Sequence, residues 1–172
     1  MTMHDVASAM RRAETVLRRR PDMGLHDDSP ATARWQGGLR VVAGHANGVQ
    51  VQTDMPSELG GTGDQVTPGW LWRAGLASCT ATRIAMAAAV EGIQLQTLEL
   101  RASSRSDTRG MLGMDAVQVG PSDVRLHVRI SAAGVSSERL RELVETSYRR
   151  SPVTCAIEGA VPVALSIEIA AA

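Results

Sequence analysis

The sequence predicts an α+β protein, in which antiparallel strands are arranged around one long helix. Residues 68–91 are rich in alanine and contain no proline after the first position, a composition that favours an uninterrupted helix. Residues 48–54, 122–133 and 161–169 alternate apolar with polar side chains, as half-buried strands do. The pair Asn47-Gly48 is typical of a tight hairpin turn, so we expect antiparallel pairing before the helix.

The composition indicates one domain with an N-terminal extension. The chain has 172 residues, and its 18 basic residues balance 18 acidic ones. This balance argues against a nucleic acid or an anionic membrane as the main partner. We predict an arm and linker over residues 1–30, followed by a single domain over residues 31–172.

Cysteine usage and the N-terminus predict a cytoplasmic protein with reduced thiols. Two cysteines do not make a disulfide scaffold, and the polar N-terminus lacks the apolar core of a signal peptide. The four histidines and two cysteines do not follow a metal-ligand spacing. We therefore predict neither a metal nor a cofactor. The long helix is not expected to span a membrane, because Arg73 and Arg83 interrupt it.

The first half of the chain divides at its prolines and glycines. An amphipathic helix is predicted over 3–20, ending at Pro21, and we expect this arm to dock on a partner subunit rather than on nucleic acid. A linker then leads to two strands and to a glycine-rich loop without the Gly-Lys-Ser/Thr of a phosphate loop. The predicted strands are 31–43 and 48–54, and the loop covers 54–65.

The second half begins with the long helix, whose apolar or small residues on every side predict burial all round. In the strand at 122–133, His127 falls on the polar outer face, so we interpret it as a surface residue. Ser136 or Ser137 is expected to cap the penultimate helix, and Ser151-Pro152 to open the last one. The other predicted elements are strands over 94–105 and 161–169, a loop over 106–121 and a helix ending at 149 or 150.

Cys79 is the candidate nucleophile, in the middle of the long helix. Arg83 lies four residues later on the same face, and a guanidinium beside a sulfur favours the thiolate, which is the reactive form. Small neighbouring residues would leave space for a substrate. The alternatives are a cysteine that only fills the core and an arginine that pairs with a distant carboxylate.

Three motifs in this order carry a resemblance to a known family. They are Asp54-x-Pro-x-x-Leu-Gly-Gly-x-Gly, the Ala-Ser-Cys-Thr that contains Cys79, and Ser-Pro-Val-Thr-Cys-Ala-Ile from Ser151. Over residues 31–170 the sequence resembles the OsmC/organic hydroperoxide resistance family. The resemblance implies an intertwined homodimer, in which two long central helices pack inside curved antiparallel sheets and the active sites lie at the subunit interface.

The resemblance also implies a redox chemistry. In active members the first cysteine attacks the peroxide O–O bond and becomes a sulfenic acid. A second cysteine then closes a disulfide, which a dithiol such as a lipoylated protein reopens. Cys79 matches the first cysteine, but Ser151 stands at the second position and Cys155 follows four residues later. Cys79 and Cys155 can bond only if their Cα atoms come within roughly 7 Å.

Two other positions bear on the catalytic set. The family's peroxidases carry a glutamate just after the helix-opening proline, where this chain has Gly69 followed by Trp70. Their catalytic arginine comes from the early hairpin, for which Arg40 is the nearest candidate. The predicted catalytic residues are Cys79, Cys155, Arg40 and Arg83.

Three functions remain open at this point, and the sequence does not decide whether the protein is an enzyme. The first is a thiol peroxidase that acts on organic hydroperoxides. The second is a catalytically degenerate dimer that serves as a scaffold or small-ligand binder, favoured by Ser151 and Gly69 and by Trp70 and Trp72, whose rings would fill the pocket. The third is a redox sensor, in which a disulfide between the two cysteines changes the docking of the arm.

Overall fold

A computed structural model describes residues 2–114 and 116–169. Two antiparallel sheets and several helices make up the chain, and short 3₁₀ turns lie at Pro21–Gly24 and Ser57–Leu59. In chain order the elements are α1 (Met3–Arg19), β1 (Thr32–Trp35), β2 (Val41–Gly44), β3 (Gln50–Thr53), α2 (Pro68–Val90), β4 (Leu95–Arg105), α3 (Thr108–Met111), β5 (Ser122–Ala132), α4 (Ser137–Tyr148) and α5 (Pro152–Glu158).

The first sheet contains β1, β2 and β3 in that order, all antiparallel. The predicted hairpin turn at Asn47-Gly48 is confirmed, and Gly48 has the positive φ of 93° that such turns require. The prediction of one strand over 31–43 is wrong, because Gly37 and Gly38 (φ 105° and 56°) reverse the chain between β1 and β2. This turn places Arg40 immediately before β2.

The second sheet pairs β4 with β5, which confirms the strands predicted over 94–105 and 122–133. Leu98 lies opposite Ile130 and Leu100 opposite Val128, and these four side chains pack against the core. His127 is exposed, as the alternation predicted. The sheet therefore presents one face to the helices and one to solvent.

Helix α2 has 23 residues and confirms the helix predicted over 68–91 to within one residue. Thr67 caps its start by accepting a hydrogen bond from the N–H of Trp70, and Gly92 (φ 71°) follows its end. The prediction that this helix is buried on every side is wrong for the single chain. Only one stripe is buried, because α1, β4, α4 and α5 leave other faces of α2 uncovered. Trp70 on an uncovered face is 47% exposed.

The core lies where α2 meets α4 and the β4–β5 sheet. Its buried members are Ile84, Ala88, Ile93, Leu140 and Leu143. Helix α4 begins as predicted, since the Ser136 hydroxyl accepts from the N–H of Arg139. The core is aliphatic, as expected for a chain without phenylalanine.

The N-terminal arm is the predicted helix, capped by Thr2 and Asp5, each of which bonds to the other's backbone N–H. It packs on α2 of its own chain, with Ala7 only 3% exposed, whereas the prediction docked it on a partner subunit. Its small buried residue allows the two helices to approach closely.

The strand predicted over 161–169 is wrong for this chain, which has neither helix nor strand there. No described strand pairs with the segment, so its alternating apolar side chains lie in solvent. Their exposed fractions are 62% for Val161, 92% for Val163, 84% for Leu165, 75% for Ile167 and 91% for Ile169.

The glycine-rich loop before α2 folds around the carboxylate of Asp54, whose side chain is 2% exposed. The hydroxyl and N–H of Thr62 donate to it at 2.7 and 3.1 Å, and the N–H of Met55 donates at 2.8 Å. The Thr62 hydroxyl, the two N–H groups and Arg40, in that order, lower the pKa of Asp54 to about 2. Gly61 belongs to the same loop, where a Cβ would lie 1.8 Å from the Met55 carbonyl oxygen.

Asp54 makes the stability of the fold sensitive to acid. Its folded pKa of about 2 lies below the ordinary 3.8, so its contribution is complete above about pH 4 and is lost as the pH falls through about 2. We expect the free energy of unfolding, measured by urea titration, to fall over this range in the wild type. The fall should be smaller in Asp54→Asn. Asp28→Asn is the control, because the Asp28 side chain is 99% exposed. Parallel curves for the wild type and Asp54→Asn would contradict this assignment.

Candidate functional site around Cys79

Cys79 lies on α2 beside the buried stripe of that helix, and its thiol is free and half-buried. The hydroxyl of Ser151 donates a hydrogen bond to its sulfur, with an Oγ–Sγ distance of 3.3 Å. Ser151 itself is fully buried. The Cys79 residue is therefore only partly covered, and a fixed hydroxyl lies against its sulfur.

Ser151 reaches the sulfur because α5 is packed against α2. Pro152 starts α5, which makes Ser151 its N-cap residue, but the hydroxyl makes no capping hydrogen bond. Instead Ser151 Oγ and Thr154 Oγ1 each lie 3.3 Å from the hydroxyl of Thr80, the residue after Cys79. All three of these hydroxyl residues are at most 2% exposed.

The hydroxyl protons in this cluster can be assigned. Thr80 donates its only hydroxyl hydrogen to the carbonyl oxygen of Leu76 at 2.9 Å, so its oxygen can only accept from Ser151 or Thr154. With Thr154 as that donor, the Ser151 hydrogen is free for the Cys79 sulfur. Ser151 is therefore the hydrogen-bond donor to the Cys79 sulfur.

Arg83 does not bond to the Cys79 sulfur, although the four-residue spacing predicted their contact. Its side chain lines a cavity between α1, α2 and α4, and its Nη1 is shielded from solvent without a hydrogen-bond partner among the described residues. Helical spacing determines where the Cβ atom points, but a long arginine side chain can leave that direction.

Arg40 is held by the glycine-rich loop. Its Nη2 donates to Asp54 at 3.2 Å, to Thr62 at 2.6 Å and to Asp64. Hydrogen bonding to Asp54 raises the pKa of Arg40. Within the described part of the chain, this guanidinium makes no hydrogen bond to Cys79.

Cys155 lies on the exposed side of α5, one helical turn after Ser151, whose carbonyl accepts its N–H at 2.9 Å. Its thiol donates to the carbonyl oxygen of Arg149 at 3.4 Å. Both cysteines are free. The residue that contacts Cys79 is therefore Ser151, which the resemblance matched to the second cysteine. Sequence reasoning did not find the Thr80 hydroxyl, although its place beside Cys79 was the available signal.

Gly69 leaves the start of α2 without the carboxylate that the family's peroxidases carry. A Cβ at this position would lie 3.7 Å from Nη1 of Arg73. That guanidinium nitrogen donates instead to the hydroxyl of Ser104 at 3.3 Å. Arg73, one turn after Gly69 on α2, is therefore bound to a neutral hydroxyl.

Residues 2–114 and 116–169 contain neither a candidate metal cluster nor a candidate membrane span. In this part of the chain, histidine, cysteine and acidic side chains do not gather in a group of three that could hold a metal ion. Among the described helices, none combines the length and the apolar character that crossing a bilayer requires.

The family model described as OsmC-like protein matches residues 61–166, well over half of the chain. No curated protein matches the chain. The fold is similar to that of an organic hydroperoxide resistance protein OsmC from Legionella pneumophila, which is 23% identical with a TM-score of 0.59. That match covers 78% of this chain and 92% of the other.

Two further solved structures share the fold. An OsmC-like protein from Mycoplasma pneumoniae is 19% identical with a TM-score of 0.66, covering 78% of this chain and 90% of that one. An OsmC-like protein of unknown function from Vibrio cholerae is 12% identical with a TM-score of 0.62, covering 77% and 95%. These structures show a shared fold, and the family model that covers more than half of the chain shows that the chain belongs to the OsmC-like protein family.

Proposed function

We propose that this protein is a thiol-dependent peroxidase that reduces organic hydroperoxides through Cys79. The observation that carries the proposal is the Ser151 hydroxyl, buried and 3.3 Å from a half-buried free thiol. A core cysteine would need neither an open side nor a fixed hydrogen-bond donor. Membership of a family that includes organic hydroperoxide resistance proteins supports the same chemistry.

The first step is attack by the Cys79 thiolate on the terminal oxygen of the hydroperoxide. An S–O bond forms as the O–O bond breaks, so the sulfur loses two electrons and the peroxide gains them. The leaving alkoxide takes a proton and departs as an alcohol, and Cys79 becomes a sulfenic acid. The role of Ser151 is to hold and orient the thiolate before attack.

Reduction of the sulfenic acid requires a thiol, which Ser151 cannot supply. We propose that a dithiol, such as the lipoyl group of a lipoylated protein, attacks the sulfur and forms a mixed disulfide while water leaves. The second thiol of that dithiol then releases Cys79 and closes its own disulfide. Cys155 is the internal alternative, but it lies one turn beyond Ser151 on α5, so that turn would have to move.

We further propose that the working form is the intertwined homodimer that the family implies. Two observations support a second copy of the chain. Helix α2 has uncovered faces that include the 47% exposed Trp70. The apolar side chains of 161–169 alternate like those of a strand but pair with none of the described strands. A second copy would cover both surfaces.

A catalytically degenerate ligand binder is the second candidate function. Gly69 stands where the family's peroxidases have a glutamate, and Arg40 is bound to Asp54 and Asp64 rather than to the sulfur. Slow alkylation of Cys79 by iodoacetamide at neutral pH, with no hydroperoxide turnover, is the result that this alternative predicts.

The peroxidase proposal predicts that Cys79→Ser abolishes consumption of cumene hydroperoxide or tert-butyl hydroperoxide with dihydrolipoamide. Cys155→Ser is the matched control, since it removes the other thiol and should keep turnover within about twofold if an external thiol resolves the sulfenic acid. A large loss in Cys155→Ser would instead assign the resolving role to Cys155. Absence of turnover with several dithiols would reject the peroxidase function.

The hydrogen bond to the sulfur is tested by two variants of Ser151. Removing the donor in Ser151→Ala should slow alkylation of Cys79 at neutral pH by about tenfold, because a hydrogen bond to a charged group is lost. Ser151→Cys places a thiol against Cys79, so one equivalent of hydroperoxide should produce an internal disulfide detectable by mass spectrometry. An unchanged alkylation rate in Ser151→Ala, or free thiols in the oxidised Ser151→Cys protein, would contradict the contact.

The dimer is tested at its exposed apolar segment. Replacing Leu165 and Ile167 by aspartate should convert a dimer into a monomer in analytical ultracentrifugation, because charged side chains cannot be buried without partners. Leu25→Asp in the linker, also at an exposed leucine (91%), is the control and should remain a dimer. A wild type that sediments as a monomer would reject the assembly.

A further inference from the structure

A cavity of about 540 Å³ lies between α1, α2 and α4. Its size is typical of sites that hold small organic molecules. The arm contributes one wall, and the C-terminal half of α2 and the inner face of α4 contribute the others. Cys79 is not among the residues that line it.

Two polar groups on the cavity wall have unmet hydrogen-bonding capacity. Nη1 of Arg83 and Oγ of Ser147 are shielded from solvent and have no hydrogen-bond partner in the described part of the chain. Ser147 as a whole is only 1% exposed. Buried donors without acceptors are unfavourable, and a small rotation of either side chain would direct its donor at an oxygen atom placed in the cavity.

The charges on the wall favour an anion. Its three acidic residues are already paired: Glu91 and Glu142 with Arg139, and Glu14 with Arg18 outside the cavity.

Arg139 is paired with two glutamates, whereas the other arginines of the cavity wall have no ion pair within the described part of the chain. Among the described residues, Arg11, Arg83 and Arg150 line the cavity without an ion pair. The cavity therefore offers free guanidinium groups, whose forked donors match a carboxylate, while its carboxylates are occupied.

Apart from Thr146, the remaining wall is apolar and is formed by Met10, Ala87, Val90 and Leu143. Inorganic anions gain nothing from such a surface, whereas an organic anion buries its carbon skeleton there. We propose that this cavity binds a small organic carboxylate, with the carboxylate on Arg83 and Ser147 and an apolar body against α1 and α4. The site is independent of the peroxidase chemistry at Cys79.

Phenylbutyrate is a suitable probe, because it joins a carboxylate to an apolar ring. Isothermal titration of the full chain should show binding that is at least about tenfold tighter than that of phenylbutanol, which lacks the charge. Inorganic phosphate, which lacks the apolar body, should also bind at least about tenfold more weakly. Equal affinity for either comparison compound, or no binding of phenylbutyrate to the folded wild type, would overturn the proposal.

The anchoring residue is tested with Arg83→Met, which keeps a long side chain and replaces a partly buried charge that has no ion pair with a described residue, so it should fold. Its affinity for phenylbutyrate should fall by at least about tenfold. Arg101→Met, at an exposed arginine of β4 away from the cavity, is the control and should bind as the wild type does. Ser147→Ala should weaken binding without changing the affinity for phenylbutanol. Wild-type affinity in Arg83→Met would reject the site.

Discussion

The contact between α2 and α5 through three buried hydroxyls is the constraint on which the site depends. The Thr80 hydroxyl lies 3.3 Å from those of Ser151 and Thr154, accepts a hydrogen bond from Thr154 and donates its own hydrogen to the Leu76 carbonyl oxygen. Because these hydroxyls are shielded from water, each must find its partner in the protein, and this requirement fixes the start of α5 against α2. The position of Ser151 beside Cys79 follows from that docking rather than from any capping role.

Within one chain, the side chain bonded to the Cys79 sulfur is the neutral Ser151. This differs from the arginine beside the thiolate that the family implies. Neither candidate cation contacts the sulfur: Arg40 is paired with Asp54 and Asp64, and the Arg83 side chain lines the cavity between α1, α2 and α4. A hydroxyl donor favours a thiolate less strongly than a guanidinium. The proposed peroxidase chemistry therefore relies on Ser151, unless a second copy of the chain brings a cation to the sulfur.

Local patterns predicted most of the elements, because caps and periodicity are properties of neighbouring residues. Helix α2 shows this best, because its opening proline lies at its first position and its cap and terminal glycine lie next to its ends. The exceptions depended on information outside the pattern. Gly37 and Gly38 were included in a strand although their conformational freedom marks a turn. The alternation in 161–169 indicates a strand with one apolar and one polar face. It does not indicate whether the strand that pairs with it belongs to the same chain or to a second copy. The four-residue spacing placed Arg83 on the same helical face as Cys79, but it did not predict where the guanidinium group lies.

The exposed segment 161–169 has a kinetic consequence under the proposed assembly. Its five exposed aliphatic side chains stay in solvent in the single chain, where none of the described strands pairs with the segment. The last stage of maturation would then be second order, with a half-time that lengthens on dilution. A newly synthesised subunit would keep these apolar side chains exposed until it bound a second copy. A low concentration of the protein would therefore delay formation of the mature dimer.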